Sequence, residues 1–109
     1  MVEIMQGDAY PLDMALYRKD GQLSTADDVE EVVVNIAHIT KLFTNGDILS
    51  SEDGVWKIPL SSEETMSLVP GVIVPQVQVT WVGNVREGAD LDKILIKEWR
   101  NKKALGVNG

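Results

Sequence analysis

This chain contains no cysteine, and that absence excludes disulfides, thiolate nucleophiles and cysteine-based metal or iron-sulfur sites together. It has a single histidine, His38, so a metal site or a histidine general base would lack the second imidazole or thiol that such sites usually recruit. Aromatic residues are scarce at 6%, and the longest mostly apolar stretch, Val69 to Val82, is broken by prolines and glutamines and is too short to cross a bilayer. The N-terminal "MVEIMQGDAY" has no basic region followed by an apolar core, so no signal peptide is expected.

What remains is an ordinary globular composition. Over 109 residues, 44% are hydrophobic and 25% charged, which suits one domain with one core. The formal net charge of -7 opposes binding to nucleic acid phosphates. The bases gather at the end, where Lys93, Lys97, Arg100, Lys102 and Lys103 stand close together. Residues 1–99 are expected to form a single domain, and 100–109, "RNKKALGVNG", a disordered tail.

Turn signals recur along the chain: Gly7-Asp8, Asp20-Gly21, Asn45-Gly46-Asp47, Asp53-Gly54, Pro70-Gly71 and Gly83-Asn84. Between them lie short runs rich in Val, Ile and Leu, the pattern of an all-β sandwich or barrel. "VEIMQ" reads as an edge strand, and "PLDMALYR" alternates Leu12, Met14 and Leu16 against wetter positions. "VVVNIAHITKLF" is β-branched enough to read as one strand with His38 in its middle. "VWKIPL" places Trp56 and Ile58 on one face, and "VIVPQVQVTWV" places Val77, Val79 and Trp81 on one face. In "DKILIKEW" a strand burying Ile94 and Ile96 is preferred, with an amphipathic helix using Leu91, Ile94, Leu95 and Trp99 as the alternative. About seven strands and one helical turn near 61–66 give the expected fold: an immunoglobulin-like antiparallel β-sandwich.

The helical turn is the most specific local feature. In "PLSSEETMSLVPG", Ser61 and Glu64 have the spacing of a capping box, and Glu63 and Glu64 suit the positive end of a helix dipole. Pro70-Gly71 then closes the segment, because the residue before proline avoids the α region. Leu60, Met66 and Leu68 are the expected inward anchors. Ser61, Glu64, Thr65, Pro70 and Gly71 are thus read as a structural corner joining two strands.

Catalytic motifs are missing from this reading. Ser61, Ser62 and Thr65 show no nucleophile elbow, and there is no phosphate-cradling glycine loop or dinucleotide fingerprint. The carboxylate pairs Asp27-Asp28, Glu30-Glu31, Glu52-Asp53 and Glu63-Glu64 lack the spacing of a calcium loop and read as solvated acids. The expectation is no catalytic, cofactor or metal site. Trp99, beside Arg100, is the aromatic residue expected to be exposed and free for contact.

The order "IMQGDAYPLDMALYRKDGQL", "DVEEVVVNI" and "WKIPLSSEETMSLVPGVIVPQVQVTW" resembles the N-terminal domain family of phage baseplate upper proteins. The matching features are Gln6, Gly7 and Asp8 before an alternating strand, the Asp20-Gly21 turn, Leu60, Glu63, Glu64 and Thr65 at the corner, and Pro70-Gly71 before a long strand. The resemblance spans about Val2 to Trp99. It implies a non-enzymatic, immunoglobulin-like structural and docking module of a phage or prophage tail tip. Its partners would be other phage structural proteins, with homo-oligomers compatible and neither nucleic acid nor membrane insertion expected. The location would be the virion, or the host cytoplasm before assembly. A small carbohydrate-binding module presenting tryptophan to a host-surface glycan is the alternative.

Overall fold

The computed structural model describes residues 1–51 and 53–99. The tail expected at 100–109 lies outside the described residues. Ten strands run in chain order: β1 (Val2–Met5), β2 (Tyr10–Ala15), β3 (Val29–Ile36), β4 (Ile39–Leu42), β5 (Leu49–Ser50), β6 (Val55–Leu60), β7 (Gly71–Ile73), β8 (Gln76–Trp81), β9 (Val85–Asp90) and β10 (Ile94–Lys97). One short helix, α1 (Ser62–Met66), follows β6, and a 3-10 turn at Ala26–Asp28 precedes β3.

Seven of these strands make the sandwich. One sheet has the order β2-β6-β5 and the other β4-β3-β8-β9. These orders match an immunoglobulin-like domain, in which the second, fifth and fourth strands share one sheet with the first beside the second, and the third, sixth and seventh pair in the other. The remaining strands form a third sheet, β1-β10-β7, where β1 runs parallel to β10. The all-β sandwich expected from the turn spacing is therefore present, and the described strands outnumber the expected seven because two expected runs are each split in two and β5 is additional.

Side-chain alternation builds the core. Leu12, Met14, Leu16, Val32, Val34, Ile36, Trp56, Ile58, Val77 and Val79 all point inward from the two main sheets and are buried. A bulge near Glu30 shifts the β3–β8 register, so Val29 and then Val32 both reach the interior. Phe43 meets the indole of Trp56 edge-on, with centroids 5.1 Å apart. Ile94 and Ile96 are buried on β10, which settles that segment as a strand.

Three segments differ from the sequence expectation. "VVVNIAHITKLF" is a hairpin, not one strand: Ile36 pairs with Ile39, and Ala37 adopts φ 54° in the two-residue turn. His38 consequently sits in that turn, exposed. Nothing in the residue types signals the turn, because alanine is a poor choice for positive φ. "VIVPQVQVTWV" is likewise split, with β7 pairing to β10 and β8 to β3 and β9. The chain changes sheets at Val74 and the fully buried Pro75, where proline cannot extend a ladder. Third, Trp81 is half-buried against the edge of the core, where Trp56 is wholly enclosed.

Candidate functional site

The corner after β6 draws together residues from distant parts of the chain. Ser61 caps α1: its hydroxyl accepts from the Glu64 N–H at 3.1 Å, and the Glu64 carboxylate accepts from the Ser61 N–H at 2.9 Å. The capping box is thus present as the spacing predicts. The helix has ended at Ser67, three residues ahead of Pro70, through bonds from the Ser67 N–H to the Glu63 and Glu64 carbonyls. Gly71, at φ 132°, then opens β7.

Glu64 has a second partner that sequence spacing does not reveal. Lys41, on β4, places its Nζ 2.7 Å from both Glu64 carboxylate oxygens. The lysine side chain is 11% exposed and the glutamate 31%, so this pair is the most enclosed of the ion pairs among the described residues. Burial pushes the Glu64 carboxyl up, but the Lys41 ammonium and the Ser61 N–H outweigh it and hold the carboxyl below its ordinary value.

Thr65 is the inward anchor of the corner. Its hydroxyl donates to the Asp8 carbonyl at 2.8 Å and accepts from the Gly7 N–H at 3.0 Å. It is fully buried, whereas Met66, expected to point inward, is 40% exposed and lies over Gly7. One helical turn explains the exchange: Thr65 and Leu68 are three apart and share a face, leaving Met66 outside. A hydroxyl in place of a methionine is needed because the Gly7-Asp8 turn, with Gly7 at φ 89°, leaves backbone groups that require a polar partner.

Gln6 completes the joint. Its amide donates to the Leu68 carbonyl at 2.8 Å and accepts from the Trp99 N–H at 3.1 Å. Trp99 is half-buried, less open than its place beside Arg100 led one to expect. Thus Gln6-Gly7-Asp8 at the start of the chain, the corner at 61–68 and the end of β10 form one bonded unit.

His38 approaches the same corner, with Nε2 3.0 Å from the Ser67 hydroxyl. That hydroxyl also donates to the Glu64 carbonyl at 2.6 Å. The pair tethers the β3–β4 turn to α1. Among the described residues no group of three His, Asp or Glu side chains gathers into a metal-holding cluster.

The acidic pairs are more engaged than solvated acids would be. Asp28 accepts from the Thr25 N–H at 2.8 Å and from Arg18 at 3.4 Å. Glu31 receives the Thr44 hydroxyl and the Val32 N–H, and Asp53 receives the Ser51 hydroxyl and the Val55 N–H. In each pair one carboxylate ties a turn to its neighbour, and each such group sits below its ordinary value. Glu52 lies outside the described residues.

Two predictions arise here. Ser61→Ala removes the cap and is expected to cost about 0.5–2 kcal/mol of stability, read from urea denaturation, with partner binding unchanged where the domain is folded. The second concerns acid. Depressed carboxylates such as Glu64 and Glu31 contribute stability that is fully present above their ordinary value of 4.5 and is lost as pH falls through the lower folded value. The urea midpoint is therefore expected to hold from pH 7 to 5 and to fall below about pH 4.5, with Glu64→Gln flattening part of that fall.

No protein-family model, curated protein or solved structure matches this chain. No helix among the described residues is long and apolar enough to cross a membrane.

Proposed function

We propose that the chain is a non-enzymatic structural module of a phage or prophage tail tip, which docks to other virion proteins. The observation that supports this reading is the joint itself. The two stretches that carry the family resemblance, Gln6-Gly7-Asp8 and the Glu63-Glu64-Thr65 corner, lie 58 residues apart at Gly7 and Thr65 and bond directly to each other. Residue types that look like isolated turn chemistry in the sequence therefore serve one shared purpose, fixing the first strand and the corner of a sandwich.

The module would work in the virion, and in the host cytoplasm before assembly. Its shape favours docking over small-molecule chemistry: β9 is exposed along all six residues, and its outer edge pairs with no other described strand. Glycan recognition by tryptophan is less well supported, since Trp56 is fully enclosed and offers no ring face to a sugar.

Co-expression with the products of the adjacent genes tests the proposal. A stable complex with a tail structural protein on size-exclusion chromatography is expected. Neighbouring genes of metabolism, and no complex with any of their products, would sink it.

A further inference from the structure

An immunoglobulin-like sandwich ordinarily places its first strand beside the second, closing the side of the core. In this protein β1 leaves that position and pairs with β10. As a result β2 is an end strand of its sheet and no described strand occupies the place next to it; β9 is an end strand of the other sheet.

Two connected grooves mark the vacancy, of about 310 and 250 Å3. Both run along β2, one from Leu12 to Ala15 and the other from Ala15 to Tyr17, and they share Asp90 and Leu91. The core reflects this opening. Leu12, Met14, Leu16, Val77 and Val79 keep 4–8% exposure, while Val32, Val34 and Ile36, which line neither groove, keep 0%. Ala15, Gly88 and Ala89 line the seam with small side chains, which lets a further backbone approach closely. The Trp81 indole, in the wall of the second groove, carries a buried N–H with no acceptor among the described residues.

The charged residues lining the two grooves are Asp13, Glu87, Asp90 and Asp92, with no lysine or arginine among them. Asp13 is already paired with Lys57 at 2.8 Å, which leaves Glu87, Asp90 and Asp92 to set the sign of the seam.

We propose that this seam receives one extended strand of another polypeptide, about six residues long with alternating apolar and cationic side chains, in the place a first strand would fill. The apolar side chains cover the residual exposure of Leu12, Met14 and Leu16, and the cations meet Glu87, Asp90 and Asp92. The inference deepens the docking-module reading and rests on it for the source of the strand.

The test uses the full chain, labelled for NMR, and a seven-residue peptide alternating valine and lysine. Saturable shifts confined to residues 12–17 and 85–91 are expected, together with a change in Trp81 emission. A peptide alternating valine and glutamate should not bind, and the exposed double variant Asp90→Lys, Asp92→Lys should weaken the lysine peptide about tenfold or more while retaining the native circular dichroism spectrum. Absence of shifts at millimolar peptide, a footprint on the β4 edge, or equal binding of both peptides would overturn the proposal. So would dimerisation through this seam that the peptide cannot displace, because the occupant would then be a second copy. Failure of the docking-module reading is separable: it would show as no complex with adjacent-gene products while the peptide still binds.

Discussion

Trp56→Ala is expected to lower the stability of this domain by about 3–5 kcal/mol. Trp56 has no exposed surface, packs edge-on to Phe43, and donates its indole N–H to the Ser24 carbonyl at 3.3 Å. Truncation removes the largest side chain in the core, leaves a cavity that rigid β-strands cannot collapse, and strands the buried Ser24 carbonyl. Ser24 is itself fully buried, with its hydroxyl donating to the Leu16 carbonyl, so the loss spreads to the β2 end of the sandwich. For a domain whose total stability is on the order of 5–15 kcal/mol, a substantial unfolded fraction at 37 °C follows. Urea denaturation followed by circular dichroism measures the shift. Trp56→Phe, which keeps most of the volume, is expected to cost distinctly less; equal losses would mean that the hydrogen bond, and not the packing, dominates.

The second large effect is expected at Thr65. Thr65→Val keeps the shape of the side chain and removes only the hydroxyl, so the Gly7 N–H and Asp8 carbonyl lose their shared partner. The expected cost is about 1–3 kcal/mol, the penalty for leaving part-buried polar groups unsatisfied. Thr65→Ser keeps the hydroxyl and should recover most of it. Amide exchange adds a local readout: the Gly7 N–H should exchange faster in the valine variant than in the serine variant. A valine variant as stable as the parent would show that water replaces the hydroxyl freely, and that the joint between β1 and α1 contributes little.

Alternation and turn chemistry made most strands legible. Leu12 and Met14 on β2 with Leu16 just after it, and Ile94 and Ile96 on β10, fall on the buried face as their spacing indicates, because a strand side chain can only point to one of two faces. The Ser61 and Glu64 cap was equally readable, since its bonds close within four residues. The β3–β4 hairpin was not, because Ala37 holds a positive φ that its own side chain disfavours and that Ile36–Ile39 pairing imposes. Thr65 was missed as an anchor for a related reason. A threonine is buried only when distant backbone groups need its hydroxyl, and those groups sit at Gly7 and Asp8.

The sequence by itself determined an all-β chain without cysteine chemistry, its main strand faces, and a capped turn stopped before Pro70-Gly71. These depend on contacts between near neighbours, where residue type and spacing suffice. Only the tertiary structure decided that β1 leaves the side of β2 for β10, that Lys41 completes the Glu64 carboxylate, and that Gln6 bridges Leu68 and Trp99. Each of these joins residues more than twenty positions apart, and partner choice at that range is set by how whole sheets pack, which no local pattern encodes.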